Sequence, residues 1–314
     1  MTARALWCTA PGEAQLRPAQ VGDGIHVRSL FSGISRGTER LVLSGKVPSS
    51  EHDRMRAPFQ EGDFPFPVKY GYANVGQATD GALAGRMVFS LFPHQTEFRL
   101  SEDALIPLPD GLPPERAIMA ANMETALNIL WDSGAGAGDR VAVVGGGLVG
   151  LLTASLAARL PGAEVTVIDT LPERAAIALD LGCAFATPDD APGDQDVVIH
   201  TSASQAGLVL ALSLAGPQAT IAEASWHGAE QVALPLGGAF HSRRLRIVST
   251  QVGGISPERA PRWTYRRRLT KALDLLRDAR LDALISGQTA FADLPDAYPG
   301  ILADPATLCH RIIY

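Results

Sequence analysis

The chain has 314 residues, of which 46% are apolar and 19% are charged, and its formal net charge is −6. This length predicts two domains that can each bury a core, and the acidic balance argues against a general nucleic-acid binder. The start of the chain is not leader-like and no apolar run is long enough to span a bilayer, so we expect a cytoplasmic protein with neither membrane nor nucleic-acid partners.

The three cysteines, Cys8, Cys183 and Cys309, are far apart and form no CxxC pair. An odd number at such spacings indicates neither a disulfide framework nor a cysteine-rich zinc site. We expect all three to be small buried side chains.

Residues 1–113 are rich in glycine and proline and contain short alternating runs such as "GIHVRSLFSGIS" and "RMVFSLFP". This punctuation predicts many short strands, and therefore a small β barrel or sandwich. Pro113 and Pro114 then precede apolar residues at helical spacing, so a helix should begin near Glu115. We place the first domain boundary between residues 113 and 114.

Residues 114–290 alternate short β-branched runs with alanine-rich helical patterns. The alternation is typical of βαβ units around a parallel sheet. The predicted strands are Val141–Val144, Val165–Ile168, Val197–His200 and Ala219–Ala222. Residues 291–314 contain a short helix and a last strand, "HRIIY", which we expect to return to the first domain.

The stretch "VAVVGGGLVG" supplies a G-x-G-x-x-G motif between a strand and a helix, as expected for a dinucleotide pyrophosphate site. Asp169 ends the next strand at the distance expected for a ribose-binding acid, which favours NAD(H) over NADP(H). Arg174 is a further candidate, with a helix-surface charge as the alternative. The predicted cofactor residues of this region are Gly145, Gly147, Leu148, Val149, Gly150, Asp169 and Arg174.

Several stretches resemble the medium-chain dehydrogenase/reductase superfamily, the zinc alcohol dehydrogenase type: "SGISRGTERLVLSG", "VGQATDGALAGRMVFS", "GDRVAVVGGGLVG", "VIDTLPERAAIALDLG" and "DLPDAYPGILADPATLCHRIIY". The resemblance implies an α/β protein with a GroES-like β-rich catalytic domain and a Rossmann domain with a doubly wound parallel sheet. It also implies an NAD(H)-dependent enzyme with a small-molecule substrate, and a homodimer joined through the strand "LRIVSTQV".

The family's catalytic zinc ligands are replaced in this chain. By alignment those positions hold Ser35, Tyr72 and Ala121, and "VFSLFPHQTEF" runs through the structural zinc region without a cysteine. Hydroxyl and methyl groups are not zinc ligands, so we predict no metal. The combination of "SGIS-x-GTER" with "GY-x-x-VG" is similar to a zinc-free branch that includes bacteriochlorophyllide dehydrogenase and related sugar-type oxidoreductases.

The resemblance assigns roles to several polar residues of the first domain and the linking helix. Tyr72 would donate a hydrogen bond to the substrate oxygen or act as a general acid, with packing against Phe92 as the alternative. Thr38 lies near the family's proton-relay hydroxyl, and Arg36 would reach the cofactor pyrophosphate. Glu124 is a candidate base, although a glutamate near a helix N-terminus is also favourable electrostatically.

Substrate-contacting residues are predicted from the same alignment and from the ends of the strands. Two arginine-rich stretches, "HSRRLRIVSTQVGG" and "SPERAPRWTYRRRL", favour an anionic substrate, with a solvated helix face or a partner surface as the alternative. The predicted residues are Ser35, His94, Trp226, His241 and Arg243.

The function predicted first is a zinc-independent, NAD(H)-dependent oxidoreductase that interconverts a secondary alcohol and a ketone, on an anionic or polyol substrate. The second is an NAD(P)H-dependent reductase of activated double bonds, of the quinone or enoyl reductase type. The third is a nicotinamide-binding protein without catalytic activity, against which the polar set Thr38, Tyr72 and Glu124 argues.

Overall fold

The structure is a computed structural model that describes residues 2–314. Its strands β1 to β17 have the following bounds, in chain order: Arg4–Ala10, Glu13–Pro18, Ile25–Ser35, Glu61–Gly62, Val68–Lys69, Asn74–Ala78, Met87–Ser90, Glu97–Leu100, Ile106–Pro107, Arg140–Val144, Glu164–Ile168, Ala184–Ala186, Gln195–His200, Ala215–Glu223, Arg246–Ser249, Ile285–Ala290 and Cys309–Ile313. Its helices α1 to α9 are Arg36–Leu43, Pro114–Ala117, Ala120–Ser133, Leu148–Ala157, Arg174–Asp180, Gln205–Leu214, Ala239–Ser242, Tyr265–Leu275 and Leu294–Ala303.

The chain divides into two compact units. The first unit comprises residues 2–121 and 269–314, and the second comprises residues 122–268. These breaks lie inside α3 and inside α8, whereas the sequence suggested breaks after residues 113 and 290. Ile118 and Met119, just after α2, have no exposed surface, and neither have Ala272 and Leu273 on α8. The apolar spacing of these helices does not indicate which of the two units each helix packs into.

The first unit is rich in antiparallel β-structure, as its punctuated sequence predicts. One sheet has the strand order β2-β1-β5-β4, and a second has the order β16-β17-β3-β6-β7-β9, with β8 also paired to β3. The last strand, β17, lies antiparallel to β3, so that Cys309 faces Ser35 in the register. The long strand β3 therefore joins the N-terminal and C-terminal segments of this unit in one sheet.

An ion pair between a buried arginine and an exposed aspartate connects α2 to the C-terminal segment within the first unit. The Arg116 guanidinium donates to both carboxylate oxygens of Asp282, each at 2.7 Å, and also to the carbonyls of Leu276 and Arg277. Arg116 is buried, so these acceptors compensate for its loss of water.

The second unit is a parallel sheet with helices between its strands. Its order is β12-β11-β10-β13-β14-β15, which is the classic doubly wound order counted from β10. The four strands predicted from the β-branched runs are β10, β11, β13 and β14. The predicted fold class, a GroES-like β-rich part plus a Rossmann sheet, is confirmed.

The topology fixes where the loops of the second unit collect. The strand order reverses between β10 and β13, and ligands of such sheets bind at the carboxyl ends of the strands beside this point. The turn after Val144, the loop after His200 and the loop after Glu223 all leave from that edge. No helix within residues 2–314 has the length and apolar content needed to cross a membrane.

Candidate active site

Tyr72 lies in the loop between β5 and β6, and its hydroxyl is hydrogen-bonded to the side chains of Ser35 and Thr38. Ser35 ends β3 and precedes α1, and Thr38 belongs to the first turn of α1. Gly71 has a positive φ of 125°, and a Cβ atom there would lie 3.0 Å from Nε2 of His94. The glycine before Tyr72 is thus required by the backbone. The structure brings together three of the predicted residues in one hydroxyl cluster.

The environment keeps the Tyr72 phenol protonated. Burial raises its pKa, the hydrogen bonds from Ser35 and Thr38 lower it, and the charge of Glu39 raises it, with a result of about 12 against an ordinary value of 10.0. At neutral pH the phenol is therefore a hydrogen-bond donor and not a base. The side chain remains partly exposed.

The ring of Tyr72 packs against a second tyrosine. Its contact with Tyr70 is edge-on, with the ring centroids 5.9 Å apart. Phe92, the partner expected if Tyr72 were only a packing residue, stacks on Phe98 with centroids 4.0 Å apart. The contact with Tyr70 fixes the Tyr72 ring and leaves its hydroxyl beside Ser35 and Thr38.

Beneath this cluster lies Glu39, a fully buried carboxylate. Its Oε1 accepts the Ser35 N–H at 2.7 Å. Its Oε2 accepts the Tyr298 hydroxyl at 2.6 Å and lies 3.1 Å from Nε2 of His94. Burial first, and then the charge of Glu39, raise the pKa of Tyr298 well above its ordinary value. Glu39 is a structural carboxylate that joins α1, β3 and α9.

His94 extends the same network and does not face solvent. Its Nδ1 lies 2.8 Å from the Ser32 hydroxyl, which is 2.9 Å from the Tyr314 hydroxyl. The network is complete if Nε2–H donates to Glu39 and Nδ1 accepts from Ser32. Both ring nitrogens are therefore used inside the protein, and His94 has no exposed surface. We correct the prediction that His94 contacts the substrate: it holds Glu39 in position.

The residues at the family's zinc positions do not fit that ion. Ser35 and Tyr72 offer hydroxyls that are hydrogen-bonded to each other, and Ala121 offers no ligand atom. Zinc is held in proteins by thiolate, imidazole and carboxylate groups. The absence of zinc at these positions nevertheless remains a prediction.

The glycine motif of the second unit forms the tight turn that a dinucleotide requires. Gly145 follows β10 with a φ of 112°, and a Cβ at Gly150 would lie only 1.9 Å from the Gly145 carbonyl oxygen. Gly147 is the N-cap of α4, whose first residues are Leu148 and Val149, and a Cβ at Gly147 would contact nothing within 4 Å. The turn leaves room for a pyrophosphate at the N-terminal N–H groups of α4. The predicted glycines and the start of α4 therefore fit the pyrophosphate of a dinucleotide.

Asp169 follows β11 and is bound to the glycine turn. Its Oδ2 accepts the Gly146 N–H at 2.6 Å and its Oδ1 accepts the Leu171 N–H at 2.9 Å. Arg174 begins α5 and is only 7% exposed, so the alternative of a solvated helix-surface charge is wrong. Strand β11 is thus followed both by a carboxylate, Asp169, and by a buried cation, Arg174. Because the two charges favour different cofactors, the choice between NAD and NADP stays a prediction.

Glu124 has a partner inside the second unit. Its Oε1 accepts Nε–H of Arg268 at 3.0 Å, and the same guanidinium donates to Oδ1 of Asn128 and to the Gly254 carbonyl. Burial raises the pKa of Glu124, although the charge and hydrogen bond of Arg268 oppose the shift. The ion pair gives Glu124 the structural role of holding α3 to α8, and we leave it out of the proposed proton transfer.

The remaining predicted residues are scattered. Trp226 follows β14 at the carboxyl edge of the sheet, as expected. Arg243 donates to the carbonyl of Ala215, the first residue of β14, and is thus at the opposite, amino edge. His241 is exposed on the short helix that leads into that edge. We correct both of these substrate assignments, because ligands of such sheets bind at the carboxyl edge.

Arg36, predicted to bind pyrophosphate, is the first residue of α1 in the first unit and donates weakly to the Ala303 carbonyl at 3.5 Å. Sequence reasoning also missed a buried network around Glu39 and the contact between His200 and Glu223 at the carboxyl edge of the parallel sheet. Ser32, Tyr298 and Tyr314 complete the network around Glu39, and no local motif announces their long-range contacts.

Known proteins that are similar to this chain support the description of its fold. No protein-family model matches the chain. A geraniol dehydrogenase of Castellaniella defragrans is 36% identical over 138 residues, which cover 41% of this chain and 36% of that enzyme. The match therefore spans only about a third of that curated relative's length.

Solved structures match over the whole chain. L-idonate 5-dehydrogenase from Escherichia coli K-12 has a TM-score of 0.79 at 13% identity, covering 100% of this chain and 99% of that one. An alcohol dehydrogenase of E. coli CFT073, complexed with NADH, has a TM-score of 0.78 at 15% identity and 99% coverage of both chains. A Sinorhizobium meliloti protein solved with NADP has a TM-score of 0.78 at 19% identity and covers 100% of both. The chain therefore has the fold of these dehydrogenases, with a GroES-like β-rich unit and a Rossmann unit.

Proposed function

We propose that the chain is a nicotinamide-dependent oxidoreductase that interconverts a secondary alcohol and a ketone, with Tyr72 as the partner of the reacting oxygen. The observation that carries the proposal is the hydrogen-bonded set Tyr72, Ser35 and Thr38, which stands at the family's zinc-ligand and relay positions. The similar proteins include a geraniol dehydrogenase, an L-idonate 5-dehydrogenase and an alcohol dehydrogenase, which supports an alcohol as substrate.

In the proposed reaction the bound nicotinamide supplies or accepts the hydride. Tyr72 donates its phenolic hydrogen to the carbonyl oxygen, on which negative charge develops as the hydride arrives. Ser35 and Thr38 hold the phenol oriented toward that oxygen, and their hydroxyls can return a proton to Tyr72 after transfer. Thr38 is partly exposed, so the replacement proton comes from solvent.

We infer that the cofactor is NAD(H), held by the Gly145–Gly150 turn and by Asp169. Asp169 supports this choice because a carboxylate at the ribose repels a 2′-phosphate. A second candidate function, an NADPH-dependent reductase of activated double bonds, is favoured by Arg174, which is a buried cation five residues beyond Asp169.

The test compares Tyr72→Phe with the matched control Tyr70→Phe. Tyr70 is the neighbouring tyrosine, is 5% exposed and packs against the Tyr72 ring, so its variant perturbs packing and spares the donor. Wild-type protein is assayed with NAD⁺ and NADP⁺ against secondary alcohols, polyols and hydroxy acids, and with NADPH against quinones and enones.

Tyr72→Phe should lower kcat/KM for the best alcohol by about 10²–10³-fold, the loss typical of one donor to a developing oxyanion. Tyr70→Phe should stay within about tenfold of wild type, because it removes no group that touches the reacting oxygen. Equal activity of Tyr72→Phe and wild type would refute the role of Tyr72. Oxidation of NADPH by quinones without any alcohol turnover would favour the second candidate.

We also propose a homodimer that forms through β15. This strand is at one edge of the six-stranded sheet, and its Ile247 and Val248 are partly exposed. An edge strand with free N–H and C=O groups can pair with a second copy. Light scattering should give twice the mass of the 33.1 kDa chain, and a monomeric mass at micromolar concentration would refute the dimer.

A further inference from the structure

Two histidines and a glutamate meet at the carboxyl edge of the parallel sheet in the second unit. His200 ends β13 and Glu223 ends β14, and the two residues face each other in the register of these strands. His227 follows four residues after Glu223. Within residues 2–314, this is the one group of three or more such side chains whose ligand atoms all lie within 4.8 Å of one another.

We propose that His200, Glu223 and His227 bind one divalent transition-metal ion of the zinc class. The three donors would be Nδ1 of His200, Oε2 of Glu223 and Nε2 of His227. Two histidines and one carboxylate are a ligand set typical of zinc sites that keep a fourth position open. Imidazole nitrogen also selects such ions over Mg²⁺ and Ca²⁺, which prefer oxygen ligands.

The distances between the donors are close to those that the ion requires. In a tetrahedral zinc site, nitrogen and oxygen ligands at the usual bond lengths lie about 3.4 Å from each other. Oε2 of Glu223 is 3.7 Å from Nε2 of His227 and 2.6 Å from Nδ1 of His200. Binding therefore requires the His200–Glu223 pair to open slightly and the His227–Glu223 pair to close slightly.

Hydrogen bonds already orient two of the three ligands in the manner usual for metal sites. Nε2 of His200 lies 2.7 Å from the Ser202 hydroxyl, so with the metal on Nδ1 the ring proton moves to Nε2 and is donated to Ser202. Oε1 of Glu223 accepts the Ser225 N–H at 2.7 Å, which leaves Oε2 for the ion.

His227 distinguishes this cluster from an ordinary histidine–carboxylate hydrogen bond. Its Nε2 is buried and has no hydrogen-bond partner among residues 2–314, although it points toward Glu223. An unpaired buried nitrogen costs free energy that metal ligation would recover. The side chains of Glu223 and His227 are 15% and 16% exposed, so an ion can enter from solvent.

These residues are outside the family's zinc-ligand positions, which lie in the first unit. The site is next to the proposed cofactor turn, because Val144 pairs with His200 and the Thr201 hydroxyl donates to the Gly145 carbonyl at 2.8 Å. The proposal does not depend on Tyr72 or on turnover of an alcohol.

The experiment measures metal binding by tag-free protein that has been treated with a chelator and dialysed. Zn²⁺ is titrated calorimetrically, and Co²⁺ is titrated by its visible absorption, which reports nitrogen and oxygen ligation directly. The test variant is His227→Asn, which removes one ligand without breaking a hydrogen bond. The control is His26→Gln, which breaks a His–Glu pair of 3.0 Å that has no third ligand, in the first unit.

We expect one equivalent of Zn²⁺ in the wild-type protein and in His26→Gln, and affinity at least about a hundredfold weaker in His227→Asn. Circular dichroism of His227→Asn should match that of wild type, and Glu223→Gln provides a second ligand variant. The proposal is overturned if wild-type protein binds no stoichiometric Zn²⁺, or if His227→Asn binds it as tightly as wild type. An equal loss in His26→Gln would also overturn it.

Discussion

Glu39→Gln should strongly destabilise the first unit, because Glu39 is a fully buried acceptor for three donors. The Ser35 N–H, the Tyr298 hydroxyl and Nε2 of His94 all converge on its two oxygens, at 2.7, 2.6 and 3.1 Å. Glutamine has the same size but keeps only one accepting oxygen. Its NH₂ group must face at least one of these donors.

The magnitude follows from these contacts. One donor that is left buried without an acceptor costs about 1–3 kcal/mol, and a hydrogen bond to a charged group contributes about 1.5–3 kcal/mol. We therefore expect the free energy of unfolding of this unit to fall by about 3–5 kcal/mol. Tyr298→Phe removes a single donor and leaves two for Glu39, so it should cost about 1–2 kcal/mol.

The assay is hydrogen exchange followed peptide by peptide under increasing urea. Peptides are needed because the two units do not have to unfold together, and a single transition would not report on the first unit alone. The control is Glu97→Gln, which breaks the partly exposed pair with His26 and should cost less than about 1 kcal/mol. A loss in Glu39→Gln no larger than in this control would refute the reasoning.

Three further predictions follow from the structure. The thiols of Cys8 and Cys309, whose pKa burial raises to about 12, should not react with a disulfide reagent at pH 8 until the protein is unfolded, and fast labelling of the native protein would contradict their burial. Because the pKa of each thiol is 9.0 in the unfolded chain and about 12 in the fold, the free energy of unfolding is unaffected by these thiols below pH 9.0 and decreases as the pH rises from 9 toward 12. Urea midpoints should therefore fall over that range, and midpoints that stay level would argue against these pKa shifts. Gly150→Val should abolish NADH binding, followed by quenching of tryptophan fluorescence, because the added atoms would overlap the Gly145 carbonyl; unchanged binding would place the cofactor elsewhere.

Elements governed by local patterns could be predicted from the sequence. Four of the six strands of the Rossmann sheet follow from β-branched runs, and the glycine turn follows from a motif whose spacing the backbone itself requires. Gly150 shows why: a side chain there would strike the turn that it closes. Such features depend on residues that are near one another in the chain.

Contacts between distant residues could not be predicted in the same way. His94 was expected at the substrate, but its ring nitrogens are bound by Ser32 and Glu39, which are more than fifty residues away in the chain. Arg243 was predicted to contact the substrate, and yet it sits at the amino edge of the sheet, because the strand it precedes is parallel to β14. The sequence shows which residues are neighbours in the chain, but it does not show which edge of the folded sheet they reach.

The raised pKa of Tyr72 has a consequence for the direction of the proposed reaction. A phenol with a pKa of about 12 is protonated throughout the physiological range, so it can donate to a ketone there but cannot accept the proton of an alcohol. Alcohol oxidation then needs the proton to leave through Ser35 or Thr38 to solvent, a step that hydroxide assists. Ketone reduction should therefore vary little between pH 6 and 9, whereas alcohol oxidation should accelerate as the pH rises. A common pKa near 7 in both profiles, absent in Tyr72→Phe, would mean that Tyr72 is a base and that its surroundings lower its pKa instead of raising it.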